Sequence, residues 1–252
     1  MKTTGNTVFI TGGGSGIGRG LAEAFHKLGN QVIIAGRREA VLSKVAAANP
    51  GMQSVTLDTS KAESITRVAA EMAGQFPALN VIINNAGVQR VHEFAVEGGY
   101  DDTAAQEEIN TNISGVLRMT QAFLPHLRLQ PAATIVNVSS GLAFVPMARF
   151  PVYCATKAFV HCFSMSLRHQ LRNTTVKVLE LIPPWVKTDL DVTHPPAMRP
   201  DGMSPMPLDQ FIAAAMTELA GDEHELKVAG AKYLYSAGVG DRLYSTFNQM
   251  NE

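Results

Sequence analysis

Val8-Phe9-Ile10-Thr11-Gly12-Gly13-Gly14-Ser15-Gly16-Ile17-Gly18 runs from a short apolar segment into a glycine-rich turn, and the chain continues as Leu21-Ala22-Glu23-Ala24-Phe25. The apolar positions of that continuation suit an amphipathic helix. Strand, glycine turn and helix in this order form the context in which a glycine fingerprint signals a dinucleotide site. The glycines permit a tight turn and let the backbone approach a pyrophosphate, whose charge then sits at the helix N-terminus. The spacing is Gly-x-x-x-Gly-x-Gly (Gly12, Gly16, Gly18) rather than the usual Gly-x-Gly-x-x-Gly. Taken alone, the loop reads equally well as a flexible turn, and what decides between the two lies downstream.

Apolar runs rich in Val, Ile and Leu recur near residues 7–10, 31–35, 53–57, 80–84, 133–138 and 176–182. The pattern between them predicts helices over about 16–29, 38–48, 60–75, 104–129 and 152–172. Short apolar strands alternating with longer helices predict an α/β fold: a doubly wound, Rossmann-type parallel sheet with helices on both faces. No linker, repeat or low-complexity tract interrupts the first 190 residues, so 1–252 reads as a single domain. Five prolines (Pro195, Pro196, Pro200, Pro205, Pro207) and three methionines crowd the stretch at about 190–207, which reads as a substrate lid. A helix near 208–220 and a short strand near 225–229 are expected after it; beyond 231 no pattern stands out.

The formal charge of −1 gives no reason to expect nucleic acid or an acidic membrane surface as partner. No run of 18 apolar residues and no apolar leader are present, which predicts no membrane span and no secretion signal. Cys154 and Cys162 lie two turns apart in one predicted helix, about 12 Å along its axis, too far for a disulfide. Reduced thiols and a cytoplasmic location are the expectation. The seven histidines show no metal-ligand spacing, so no metal is expected.

Chemistry is concentrated in Ser139-Ser140-Gly141 and Tyr153-Cys154-Ala155-Thr156-Lys157. Tyr153 and Lys157, four apart, share one helix face. A phenol with a pKa of about 10 is a poor proton donor or acceptor at neutral pH. An ammonium one turn away should favour the phenolate and bring that pKa toward the working range. A serine hydroxyl from a separate strand could then bind the oxygen being protonated. Such a set moves a proton on and off a carbonyl or alcohol oxygen. A further cluster, Asn84-Asn85-Ala86-Gly87, closes the run Val81-Ile82-Ile83, where Asn and Gly also suit a plain turn.

Together these motifs resemble the short-chain dehydrogenase/reductase family, in the family's order and over roughly residues 5 to 190. Within it, Ser140-Gly141-Leu142-Ala143-Phe144, Met165-Ser166-Leu167-Arg168-His169-Gln170-Leu171 and Pro183-Pro184-Trp185-Val186-Lys187-Thr188-Asp189-Leu190 are similar to the bacterial DltE-like oxidoreductases. The resemblance implies a catalytic tetrad of Asn112, Ser140, Tyr153 and Lys157, with Asn110 a neighbouring alternative to Asn112 and Ser139 to Ser140. It implies a cofactor site at Gly12, Ser15, Gly16, Ile17, Gly18, Asp58, Asn85, Ala86, Gly87 and Thr188, shared with Tyr153 and Lys157. Asp58 would contact adenine; capping the helix that begins near Ser60 suits it nearly as well. Asn112 would hold a water that links Lys157 to solvent. Homodimers or homotetramers are implied, and the broad apolar surface of the 152–172 helix (Val152, Phe159, Phe163, Met165, Leu167) fits a second buried side. Pro184 departs from the family's Pro-Gly and puts any contact made by that glycine in doubt.

After the second strand stand Ala35-Gly36-Arg37-Arg38. NAD enzymes of this architecture place an acidic residue there for the ribose hydroxyls. With Gly36 in that position and Arg37 and Arg38 beside it, the pocket is read as one for a 2′-phosphate, hence NADP in preference to NAD. The expected activity is hydride transfer between this nicotinamide and a small-molecule carbonyl or alcohol. The rivals are an NADP-binding sensor without turnover, and an epimerase or dehydratase working through the same tetrad.

Overall fold

Among the described residues seven strands pair in the order β3-β2-β1-β4-β5-β6-β7, and each of these pairings is parallel. They are β1 (Thr7–Thr11), β2 (Gln31–Gly36), β3 (Gln53–Thr56), β4 (Leu79–Asn84), β5 (Ala133–Val138), β6 (Val176–Ile182) and β7 (Glu225–Lys227). The helices are α1 (Gly16–Lys27), α2 (Glu39–Ala48), α3 (Ala62–Gln75), α4 (Asp102–Ile109), α5 (Gly115–Leu127), α6 (Pro151–Leu171), α7 (Leu208–Ala220) and α8 (Ala231–Gly238). The computed structural model of the chain describes residues 1–190 and 204–238. The expected lid therefore falls, for residues 191–203, outside the described residues.

Side-chain alternation along each strand explains the two layers. Val8 and Ile10 point to one face with Val32 and Ile34, against Leu21 and Phe25 of α1, Leu42 and Val45 of α2 and Phe211 of α7. Phe9 and Ile33 point to the other, against Ile65 and Val68 of α3, Met119 and Phe123 of α5 and Leu171 of α6. Phe9 and Phe123 meet with ring centroids 5.1 Å apart. Near-continuous apolar strands are what a sheet covered on both faces requires.

The predicted helix over 104–129 is divided. α4 passes through a π-helical turn, Asn110–Ser114, before α5 begins. A π turn inserts residues without ending the helix, and such insertions are common at functional sites. Here it buries Thr111 and Asn112, and it precedes Gly115, whose missing Cβ would lie 3.0 Å from the Thr59 carbonyl oxygen. Within the stretch beyond 231 that shows no sequence pattern, α8 forms over Ala231–Gly238, and Gly238 backs onto Phe144.

Of the apolar residues expected to spread around the long site helix, Leu167 is buried and Met165 is half exposed. Phe159 and Phe163 stack on each other at 6.0 Å. The buried side of α6 mixes polar and apolar residues: Tyr153 and Lys157 face the cavity, Ser164 meets Asn137 of β5, and Leu167 and Leu171 pack into the sheet core.

Phe211, fully buried, joins α7 to α1 across one face of the sheet. Phe211→Ala is expected to lower stability by about 3–5 kcal/mol, the usual cost of a phenyl-sized cavity. Urea unfolding of the variant against the wild type measures it.

Candidate active site

The strand order reverses between β1 and β4, which opens a crevice at their C-terminal ends, the place where open α/β sheets bind ligands. Thr11 ties the two strands there. Its hydroxyl accepts from the Asn85 and Ala86 amides at 3.0 Å each and donates to the Ile83 carbonyl at 3.3 Å. Asn85 Nδ2 returns a bond of 3.0 Å to the Thr11 carbonyl. Two glycines make the crevice possible. Gly12 has φ +68°, a left-handed backbone that side chains resist. A Cβ on Gly18 would stand 2.4 Å from the Gly12 carbonyl oxygen. α1 starts here with no acidic residue in its first turn and no side-chain cap on its amides, so its N-terminal N–H groups are suited to an anion.

A cavity of about 1000 Å³ runs from this loop to the end of β6. Gly12, Ser15, Gly16, Ile17, Arg37, Arg38, Asp58, Asn85, Ala86, Gly87, Ser140, Tyr153, Lys157 and Thr188 all line it. Gly18 and Asn112 do not; both are packed directly behind the lining. Thr188 lies over the glycine loop, its Cβ 3.3 Å from the place a Cβ on Gly16 would take. Asp58 accepts from the Ser60 amide at 2.9 Å and its hydroxyl at 2.7 Å, so it braces the turn before α3 while facing the cavity. α3 itself begins at Ala62, two residues past the expected start.

Ser140 and Tyr153 are hydrogen-bonded to each other, and Ser140 Oγ also accepts from the Leu142 amide at 3.1 Å. Ser139 is turned the other way and donates to the buried carboxylate of Glu180. That separates the two candidate serines. Lys157 Nζ donates to the Val138 carbonyl at 2.8 Å and stands 5.6 Å from the centroid of the Tyr153 ring. Asn112 is tied down on two sides. Its Oδ1 accepts from the Val88 amide at 2.9 Å, and its Nδ2 donates to the Val88 carbonyl at 2.9 Å and Thr156 Oγ1 at 3.0 Å. Gly87 leaves room for this meeting: a Cβ there would lie 3.3 Å from Asn112 Oδ1 and 3.6 Å from Lys157 Nζ.

The electrostatics correct one expectation. Burial pushes the Tyr153 phenol above its ordinary range, reinforced by Cys154 and opposed by the Ser140 hydrogen bond. The Lys157 ammonium does not bring it down in the protein alone. Burial in turn pulls the Lys157 amine down to about 8, with the Glu180 carboxylate opposing. Both groups are taken from water into a site with few compensating charges, so each is drawn toward its neutral form. The phenol therefore keeps its proton at neutral pH and holds it more tightly than a free phenol does, and the amine remains mostly an ammonium.

The far end of the cavity joins Trp185 of the quoted Pro-Pro-Trp stretch and Met206 of the expected lid to residues that sequence motifs did not flag, Tyr233, Leu234, Gln89 and Arg90. Trp185 and Met206 belong to two short segments joined by backbone bonds of 2.9 Å, Lys187 N–H to the Met206 carbonyl and Met206 N–H to the Trp185 carbonyl. Tyr233 and Leu234 come from α8, and Gln89 and Arg90 from the chain after β4. A lone tryptophan beside a Pro-Pro step was the one available signal; Tyr233 and Arg90 carried none. Pro184 lines the cavity, and the neighbouring Pro183 carbonyl accepts from the Gly141 amide at 2.9 Å, so the Pro-Pro step supports the serine loop.

Residues 6–198 match the family model for short chain dehydrogenases, and the chain belongs to that family. It is an NAD(P)-dependent dehydrogenase/reductase. An uncharacterized oxidoreductase, DltE of Bacillus subtilis (strain 168), is 46% identical over 194 residues, 76% of this chain and 75% of the relative. An oxidoreductase of Staphylococcus aureus (strain MRSA252) is 30% identical over 217 residues, 85% of this chain and 92% of its own. A short chain dehydrogenase from Burkholderia cenocepacia J2315 in complex with NADP superposes with a TM-score of 0.85 over the whole of both chains at 26% identity. The 3-ketoacyl-(acyl-carrier-protein) reductase of Brucella melitensis, complexed with NADH, gives 0.77 at 27% identity over 85% of this chain and 90% of that one. No described helix is long and apolar enough to cross a membrane.

Two pH effects follow from Lys157. Its folded-state pKa of about 8 lies below the unfolded value of about 10.4. Between these values the unfolded chain binds more protons, so this group's contribution to stability rises with pH there. Chemical unfolding across that window should show the rise in the wild type and lack it in Lys157→Met. If the ammonium supports catalysis, carbonyl reduction should decline as pH passes about 8.

Proposed function

We propose that the protein is an NADPH-preferring carbonyl reductase in which Tyr153 is the acid, Ser140 its partner, Lys157 the cation and Asn112 the anchor of the proton path. The observation that carries this reading is the meeting of Ser140, Tyr153 and Lys157 in one cavity with the glycine loop. NADP fits the residues present: Gly36 offers no carboxylate to the ribose, Arg37 and Arg38 line the pocket, and the amides opening α1 suit a pyrophosphate. When bound, the reduced nicotinamide supplies the hydride. Tyr153 donates its proton to the substrate oxygen, and Ser140 positions that oxygen by a hydrogen bond. Lys157 stabilises the phenolate left behind. Asn112, fixed by Val88 and Thr156, holds the water that returns a proton through Lys157. Run in reverse, the same groups oxidise an alcohol.

Asp58, Asn85, Ala86, Gly87 and Thr188 are assigned to the cofactor on the same basis, with Gly18 shaping the loop from behind. We also assign 1–252 to one domain with a lid at 190–207. Support for the lid comes from its described ends, since Leu190 and Met206 line the cavity. A homodimer or homotetramer is proposed from the half-exposed Met165 on α6, and a cytoplasmic location from the two free cysteines. An NADPH-consumption screen against ketones, aldehydes, keto acids and quinones tests the activity; no turnover of any of them by the purified protein would leave a sensor role in its place.

Tyr153→Phe keeps the ring and removes only the proton. It should leave cofactor affinity within about twofold and reduce kcat by at least about a hundredfold. Steady-state kinetics on the best substrate reads this; a variant keeping a tenth of wild-type kcat would exclude Tyr153 as the acid.

NADPH should bind at least about tenfold more tightly than NADH, roughly 1.4 kcal/mol. Arg37→Ala should weaken NADPH more than NADH. Titration of both cofactors decides the point, and equal affinities in the wild type would remove the phosphate pocket.

A further inference from the structure

Glu107 of α4 stands between two arginines that line the cavity. Its Oε1 accepts from Arg37 NH1 at 3.1 Å, and its Oε2 accepts from Arg90 NH2 at 2.8 Å. One carboxylate thus serves two guanidinium groups, each through its own oxygen. The arginines are not held alike. Arg90 also donates to the Gln89 carbonyl at 3.1 Å, and its own amide bonds Glu108 at 3.1 Å. The Arg37 side chain is 56% exposed, and Glu107 is its ion-pair partner among the described residues. Arg38 lies nearer the glycine loop, 3.3 Å from Ser15 Oγ.

We propose that Glu107 is a specificity-determining residue that limits how strongly the site prefers NADPH over NADH, by occupying Arg37 when no 2′-phosphate is bound. The inference rests on the phosphate-pocket reading given above. A 2′-phosphate carries nearly two negative charges at neutral pH and three acceptor oxygens. To take hold of Arg37 it must displace Glu107 from NH1 or share the guanidinium with it. It must also accept a like charge close by. NADH places only a hydroxyl there and meets neither cost. The exchange is feasible because Glu107 keeps Arg90 when Arg37 leaves, so no carboxylate is stranded. Both effects, competition and repulsion, act in one direction and weigh on NADPH alone.

The opposite sign would hold if Glu107 served chiefly to aim Arg37 at the phosphate. The geometry argues against that role: a single bond at 3.1 Å to a mostly exposed side chain does little to fix it, whereas an unpaired Arg37 keeps its full charge for the ligand. Glu107 is itself partly exposed on a helix surface, so its replacement by glutamine or alanine disturbs no core packing.

Dissociation constants for NADPH and NADH, measured on the full-length wild type, Glu107→Gln and Glu107→Ala at one ionic strength, test the proposal. Both variants should bind NADPH about three- to fivefold more tightly, the range an exposed ion pair can supply, with NADH changed by less than about twofold. In an Arg37→Ala background the same substitution should raise the NADPH-to-NADH ratio clearly less, since only the repulsion remains. A ratio that stays level or falls in Glu107→Gln overturns the proposal, as does a rise of undiminished size without Arg37. The two readings fail separately. Equal cofactor affinities in the wild type would count against the proposed NADPH preference, while a rise on replacing Glu107 would still establish its restraint on Arg37.

Discussion

Parallel pairing is the constraint on which the rest of this molecule depends. Because all seven strands run the same way, their C-terminal ends share one edge, and every loop leaving that edge can contribute to one site. The reversal between β1 and β4 then parts two neighbouring loops and leaves a crevice between them. Thr11 holds the crevice at a fixed width by bonding both Asn85 and Ala86, and the glycines at 12 and 18 let the loop close against α1. Serine comes from the turn after β5, and tyrosine and lysine from α6, on the adjacent side, so the glycine loop and the proton-handling groups face the same space.

The site pays for its dryness in charge. Lys157 and Tyr153 are both buried, and burial opposes the ammonium and the phenolate alike. The Val138 carbonyl and the Glu180 carboxylate offset part of the cost to the lysine, and Ser140 part of that to the phenol. Glu180 is in turn held by Ser139 and by His161, whose Nδ1 lies 2.8 Å from it. Hydrogen bonding to this buried carboxylate raises the His161 pKa and helps keep the charge where it is. A serine pair at the end of β5 therefore divides its work: one member faces the cavity and the other secures the anion behind it.

The π-helical turn shows how a local irregularity supports this arrangement. A regular helix across 104–129 would present a different residue to the site, whereas the inserted turn buries Asn112 and points it at Val88 and Thr156. Those bonds link the chain after β4 to the helix that carries Tyr153 and Lys157. Two halves of the site are thereby held to each other through one amide side chain.

The alternation of apolar strands with helices was legible in the residues, with six strands and the neighbouring helices found within a few positions of expectation, because burial on both faces of a sheet imposes a pattern that reads along the chain. The glycine turn and the Ser140, Tyr153 and Lys157 set were legible for a similar reason: their spacing is a property of one loop or one helix. Local pattern could not foresee the π turn, which 3.6-residue periodicity conceals, or α8, whose short run gains its place by packing Leu234 on Gly141. Nor could it foresee the charges. That a buried lysine would itself be pulled toward neutrality, and that Arg37 would meet a carboxylate 70 positions away, depend on which groups the fold brings together and how much water it leaves between them. Pattern along the chain determined the scaffold; distance and burial in the folded molecule decided how its groups are charged and paired, because electrostatic energy depends on separation in space and not in sequence.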